Sequence, residues 1–429
     1  MNVTVNAKPE ESSVELVITA TAAEIKPFEE KAAKEISKEH QIKGFRPGKV
    51  PVKVLAETLG QEHVLQHVLD KAVPHLFVQA AVDEGVEAIN RPSISVTKAS
   101  LGGDVEFTAI VDVLPKVTLG DPRKLSLEKR ETKVTDEQIE HELSYLARSR
   151  STYLDVARPA KKGDVVTIDF EISIDGKPIE GGSSKEHPVP LGEGHFVPGF
   201  EEGIIGISAG EEKTFTITFP EDYSQKELQG KEAQARIKAH SVQQRSIPEI
   251  NDEFAKNLGN FESLEKLKND LKENIGKEQE AKEEERFMSE AAEEFMKLAT
   301  FSRIPDVLIE REVDHRLQEF AQMLMMQQRT IDDYLAQQKK TLEDVRNEMK
   351  DAAEKTVKIG LTLREFAKDQ NIKLDEEELT QEVNAQLAHY KTTHQAAENV
   401  DPEQLKEHVA AQMKNRKTLE KLTELATKK

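Results

Sequence analysis

Between residues 43 and 53 the chain reads KGFRPGKVPVK, and no acidic residue interrupts Lys43, Arg46, Lys49 and Lys53. Cations spaced this way can pair with the phosphates of a partner. Phe45 stands among them as an apolar anchor, a combination suited to an interface hot spot. Gly44 and Gly48 allow backbone conformations that other residues resist, while Pro47 and Pro51 fix φ. The segment is therefore expected to form a stiff exposed loop between helices. The rest of the chain makes this patch stand out, because 60 Lys and Arg against 80 Asp and Glu leave a net charge of −20. So acidic a protein is not expected to coat nucleic acid or anionic lipid over its whole surface, and any contact with RNA is local.

Other chemistries are missing from the sequence. With no cysteine there is no disulfide framework, no thiolate metal site and no thiol nucleophile. No phosphate-cradling glycine loop is followed by Lys-Ser/Thr, so nucleotide-driven cycling is not expected, and no cofactor or metal is assigned. Met323, Leu324, Met325 and Met326 form a second cluster, on an otherwise polar helix. A Met-rich surface accommodates many partners, as a site for varied polypeptide clients must; packing between neighbouring helices is the competing use.

These residues need elements to position them. Apolar and polar residues alternate from Val14 to Ile18, as in a half-buried strand, and the spacing turns helical from Ala23 to His40 and again from Leu65 to Val82. Strand chemistry returns at Ile94–Val96 and Val105–Val113. Thr135 and Gln138 give a capping-box signal ahead of Ile139, Leu143 and Leu146. From Asp164 to Val242 the chain is strand-rich, with VVTIDFEISI, an Asp175-Gly176 turn, KTFTITF and ARIKAHSV as strands of a small antiparallel sheet. Beyond Pro248 nearly everything is helical. Pro305 marks a helix start, and Ile309, Val313, Leu317, Phe320 and Leu324 then fall on one face. The N-terminal segment lacks a secretory pattern, and no apolar run reaches the ~18 residues that span a bilayer. A soluble, cytoplasmic protein is expected.

The basic loop resembles the ribosome-docking loop of the trigger factor family, which reads G-F-R-x-G-x-x-P. Gly44, Phe45, Arg46, Gly48 and Pro51 match every fixed position, whereas Pro47 stands where a basic residue is common. The resemblance implies that Lys43, Gly44, Phe45, Arg46, Pro47, Gly48 and Lys49 bind the large ribosomal subunit near the peptide exit tunnel, touching ribosomal RNA only locally. Residues 165–223 are similar to the FKBP fold, most specifically in LGEGHFVPGFEEGIIGISAGE. By that resemblance Phe170, Val197, Phe200 and Tyr223 line a prolyl isomerase pocket and Phe196 forms its rim. Glu180 supplies the usual acidic residue, and the Val197 N–H meets a substrate carbonyl. Ile179 and Ala235 stand where aromatic residues are usual, so weak activity is expected.

The reading is of a multidomain α+β protein. It has an α+β ribosome-binding domain over 1–112, a helical connector over 113–149 packing with the C-terminal part, an FKBP-like antiparallel β-sheet domain over 150–246, and an all-α client-binding domain over 247–429. Its expected function is ATP-independent chaperoning of nascent and unfolded polypeptides at the ribosome, with prolyl isomerisation. The family resemblance leaves room for a weak homodimer off the ribosome and implies no membrane partner. Two alternatives stay open: a dedicated FKBP-type isomerase, and a periplasmic-type chaperone that does not bind ribosomes.

Overall fold

Alternation along Ser13–Ala20 puts Val14, Leu16, Ile18 and Ala20 on one face of a strand, where all four are buried. That strand is central to the N-terminal sheet. In the computed structural model the described residues are 1–427 apart from 41, 43, 47, 224, 260 and 394–400; the side chains of 180 and 389–393 also lie outside them. The chain divides into two compact units, one of Met1–Arg130 with Glu284–Lys429 and the other of Glu131–Glu283.

The first unit opens with β1 (Asn2–Lys8), β2 (Ser13–Ala20), α1 (Ala22–Glu39), α2 (Val52–Leu59), α3 (Gln61–Asp83), β3 (Ser93–Lys98) and β4 (Val105–Asp112). The strands form an antiparallel sheet in the order β1-β2-β4-β3. Its inner face, with Leu16, Ile18 and Phe107, joins Ile25 and Ile36 of α1 and Val64, Val68 and Leu76 of α3 in one core. The sequence reading finds β2, α1, α3, β3 and β4 but not β1 or α2. β1 is an exposed edge carrying only Val3 and Val5 as large apolar residues, and α2 is a short helix between Pro51 and Gly60. The stretch expected as a helical connector begins differently. β5 (Val117–Thr118) pairs with residues 300–301, and Pro122–Lys124 makes a single 3-10 turn. Helix starts only at Asp136.

The second unit contains α4 (Asp136–Ser149), β6 (Thr152–Asp155), β7 (Asp164–Ile174), β8 (Lys177–Pro190), α5 (Phe200–Ile204), β9 (Glu212–Thr218), β10 (Glu232–Ser246) and α6 (Asp252–Leu258). Thr135 and Gln138 form the expected reciprocal cap of α4. Asp175 and Gly176, with φ of 51° and 78°, make the two-residue turn between Ile174 and Lys177. Both central residues of such a turn need positive φ, which Asp tolerates and Gly takes freely. The sheet runs β6-β10-β7-β8, with β9 on β10. Strand β8 is invisible in the sequence. Gly181 and Gly182 interrupt it, and the register shifts twice along β7. On β10 the side chains of Ala233, Ala235, Ile237 and Ala239 all turn inward. Within the same unit Ile139, Leu143 and Ala147 of α4 pack with Phe254, Ala255 and Leu267.

Helix α7 (Leu264–Lys297) leads into β11 (Thr300–Phe301), α8 (Asp306–Met326), α9 (Ile331–Gln338), α10 (Leu342–Asp369), α11 (Glu376–Thr393) and α12 (Pro402–Ala426). Pro305 caps the start of α8, and Val313 and Leu324 are buried on its inward face. Thr330 with Asp333 and Thr341 with Asp344 cap α9 and α10 reciprocally. Phe295 of α7 and Phe366 of α10 meet edge to face at 5.2 Å, with Leu422 of α12 completing that core.

Candidate functional site

The basic loop hangs between two anchored ends, Ile42 against the N-terminal core and Val50 within it. Two turns shape it, closed by Phe45 N–H to the Ile42 carbonyl (3.2 Å) and Lys49 N–H to the Arg46 carbonyl (3.0 Å). Gly44 (φ 89°) and Gly48 (φ 80°) occupy the left-handed position of each turn, where a side chain would be strained. The buried Ser37 hydroxyl accepts the Gly48 N–H at 3.0 Å and ties the loop to α1. Phe45 is left 41% exposed, far more than a core phenylalanine. Arg46, Lys49 and Lys53 are also exposed and make no ion pair among the described residues, so their charge is available to a partner. Lys43 and Pro47 lie outside the described residues.

In the second unit Phe170, Ile179, Phe196, Val197 and Tyr223 come together around a cleft of about 450 Å³. Phe170 meets Phe196 edge to face at 6.3 Å, and Tyr223 leans on Phe219 at 4.8 Å. The Val197 N–H, which the sequence reading assigns to a substrate carbonyl, meets no acceptor among the described residues. Phe200 is placed differently from expectation. Its ring stacks under Phe196 at 4.9 Å and is only 1% exposed, which makes it the floor rather than a wall. Ala235 is not at the cleft at all. It is fully buried, with Phe215 and Ile172 as its strand partners, and the Phe215 ring fills the space beside Phe200 at 5.8 Å. The Glu180 side chain lies outside the described residues.

The sequence reading missed Ile172, Phe219 and Leu228, which also line the cleft. Ile172 was legible in principle, since it lies two residues from Phe170 on the same strand face. It missed Glu201 as well. This carboxylate is 5% exposed and accepts N–H bonds from Gly192, Gly194, His195 and Phe196, at 2.7, 3.2, 2.8 and 3.4 Å. Burial alone would raise its pKa, but the four donors outweigh that and hold it below the ordinary carboxylate range. On the outer side of the same loop Glu193 pairs with Arg245, whose Nε also donates to the Ser151 hydroxyl at 2.9 Å.

Asp164, at the start of β7, is a second buried carboxylate. The Arg158 guanidinium, donating to both its oxygens, is the main influence that lowers its pKa against burial, helped by the Lys161 N–H at 2.8 Å. A folded pKa below the unfolded value stabilises fully above the unfolded pKa and is lost as pH falls through the folded one. Unfolding of this unit is therefore expected to be insensitive to pH between 5 and 7 and to become steeply easier below about 4. Amide exchange of β7 and β10 across that range checks this, and substituting Asp164→Asn should flatten the acid limb.

At the end of α8 the Met cluster splits. Met323, Met325 and Met326 are 47%, 71% and 89% exposed, whereas Leu324 is 3% exposed and belongs to the helix-packing face. A client cannot reach Leu324 without unpacking α8, which corrects the expectation for that residue. Phe320 meets Tyr334 of α9 edge to face at 5.0 Å beside the exposed methionines. Among the described residues no helix is long and apolar enough to cross a membrane.

An aromatic cleft in a small antiparallel sheet, a cationic loop on an α+β domain and a long helical remainder define a multidomain protein that carries an FKBP-type domain. Residues 156–242 match the family described as FKBP-type peptidyl-prolyl cis-trans isomerase. Residues 1–146 match Bacterial trigger factor protein (TF), and residues 263–424 match its C-terminus. The chain belongs to the bacterial trigger factor family of chaperones. It is 36% identical over 382 residues to the trigger factor of Halalkalibacterium halodurans, covering 88% of each chain. It is 37% identical over 366 residues to that of Bacillus licheniformis, covering 84% of this chain and 85% of the other. A solved trigger factor chaperone structure, described by promiscuous substrate recognition in folding and assembly activities, shares the fold. It is 24% identical, with a TM-score of 0.53 and 99% of both chains covered.

Proposed function

We propose that this protein is a cytoplasmic, ATP-independent chaperone that docks on the large ribosomal subunit near the exit tunnel, holds nascent and unfolded polypeptides, and isomerises X-Pro bonds. The observation that carries the docking is the exposed Phe45 beside Arg46, Lys49 and Lys53, which make no ion pair among the described residues, in a protein of net charge −20. Phosphates of ribosomal RNA pair with Arg46 and Lys49, and Phe45 enters an apolar recess on a ribosomal protein.

Isomerisation needs neither nucleophile nor metal. The barrier of about 18–20 kcal/mol comes from amide resonance, which twisting breaks. The cleft receives the proline ring against Phe170, Ile179 and Tyr223, away from water, where the less delocalised twisted amide is favoured. The Val197 N–H, which meets no acceptor among the described residues, holds a substrate carbonyl. Ile179 gives a lower wall than an aromatic ring, and for that reason activity is weak relative to fully aromatic FKBP-type pockets.

Clients are held mainly by the helical part, where Met323, Met325 and Met326 present flexible apolar surface. The isomerase segment is then dispensable for holding. Its ends are close together, since Thr152 and Ser246 are direct strand partners, so Ser149 can be rejoined to Ile247 with little strain. Deleting 150–246 in this way is expected to leave suppression of aggregation of an unfolded test protein within about twofold. Replacing Met323, Met325 and Met326 by serine in the full chain should weaken it severalfold. A deletion that folds but suppresses nothing would place the client site in the isomerase domain instead.

A further inference from the structure

We infer that Glu201 is a positioning residue for the isomerase cleft, setting the backbone ahead of Val197 so that the Val197 N–H is presented to the substrate carbonyl. This rests on the isomerase reading above. The geometry is specific. Glu201 Oε2 accepts from Gly192 and Gly194, and Oε1 from His195 and Phe196, so the N–H groups that lead up to Val197 are gathered on one carboxylate. The next N–H in the chain, that of Val197, has no acceptor among the described residues.

Gly192 and Gly194, with φ of 91° and 72°, let the chain curl so that its N–H groups converge. Such a curl attracts an anion, and here the protein supplies the anion itself. A carboxylate that is almost wholly buried persists only if its lone pairs are satisfied, and four donors use the capacity it has. The neighbouring residue works in the same direction from another side. Phe200 stacks its ring on Phe196 at 4.9 Å while Glu201 grips the Phe196 backbone. Ring and donor are thus set before a substrate arrives, so no binding energy is spent ordering the loop.

The proline ring contacts Phe170, Ile179 and Tyr223, whereas the Glu201 carboxylate bonds the N–H groups of 192, 194, 195 and 196 among the described residues. Disturbing Glu201 should therefore lower kcat and leave KM nearly alone. Glu201→Gln keeps the shape but replaces one acceptor oxygen by a donor that faces N–H groups. In the full chain, measured on a proline peptide by exchange NMR, Glu201→Gln is expected to reduce kcat at least tenfold with KM changed less than threefold. Amide protection should be lost at residues 192, 194, 195 and 196 but kept along β7 and β10. Glu202→Gln is the control, since among the described residues Glu202 accepts only the Gly199 N–H, at 3.0 Å, and it should leave kcat unchanged. An active Glu201→Gln variant, or a folded one in which KM rises as much as kcat falls, overturns the inference.

Should Glu201→Gln fail to fold, the wild-type protein still decides. The four tethered amides should exchange slowly and ignore an added proline peptide, while the Val197 amide shifts. Four fast-exchanging amides, or an unresponsive Val197, would contradict the assignment. A wild-type protein without isomerase activity sinks the isomerase reading itself, a result distinct from an active wild type with an indifferent Glu201.

Discussion

Replacing Phe45 and Arg46 together by alanine is expected to lower ribosome affinity at least a hundredfold while leaving the thermal stability of the protein unchanged. An anchoring aromatic or arginine at the centre of an interface typically contributes about 2–4 kcal/mol, and every 1.4 kcal/mol is tenfold. The fold should not notice. Phe45 is 41% exposed, and the loop is held by Ile42, Val50 and the Ser37 hydroxyl rather than by these two side chains. Wild-type affinity should also fall steeply with salt. If Arg46, Lys49 and Lys53 each neutralise one phosphate, the logarithm of the binding constant should drop with a slope of about −2 to −3 against the logarithm of salt concentration. The double variant should bind with a slope roughly one unit shallower, since it retains only the lysines. Fluorescence anisotropy of labelled protein against purified ribosomes reads both quantities.

The second large effect falls on the floor of the cleft. Phe200→Ala is expected to destabilise the second unit by about 3–5 kcal/mol, because it empties the space beneath Phe196, Phe170 and Phe215. Its isomerase activity should disappear through loss of folded domain, as shown by general amide exchange, rather than through loss of a wall. Ala235→Phe, which the sequence alone suggested as a gain of aromatic wall, should cost about 1–3 kcal/mol or more. Ala235 is wholly buried, flanked in register by Phe215 and Ile172 on the neighbouring strands, and overpacking a full core is destabilising. The substitution that should close the cleft is Ile179→Tyr, whose side chain lines it. Proline-limited refolding rates, read beside exchange protection, separate these outcomes.

These two effects show what a sequence can carry. Residue types at the cleft were readable, since Phe170, Phe196, Val197 and Tyr223 all reach it. Which ring is wall and which is floor was not: the alternation from Ala233 to Ala239 puts Ala235 on the inward face, but only the packed structure shows that Phe200 lies buried beneath Phe196. Glu201 and Glu202 are adjacent acids, and nothing local says that only the first turns inward; the glycines at 192 and 194 become informative only when the loop is seen wrapped around it. Elements with strong local chemistry were legible. The Thr135–Gln138 cap, the Asp175-Gly176 turn and the alternation of β2 each fix structure within a few residues. Strand β8 was not, because its register is held by β7 while its own glycines argue against a strand. Leu324 was in plain view: spacing from Val313, Leu317 and Phe320 already placed it on the inward face, and grouping it with its methionine neighbours ignored that period.

A photo-reactive residue at position 45 reports directly whether the cationic loop docks on the ribosome. The variant is incubated with purified ribosomes, irradiated and analysed for covalent adducts. Adducts to a large-subunit protein and to RNA beside the tunnel exit are expected, and raising the salt to about 500 mM should sharply reduce them, following the slope given above. Adducts confined to the small subunit, or none from position 45 while the protein still sediments with ribosomes, would contradict docking through this loop.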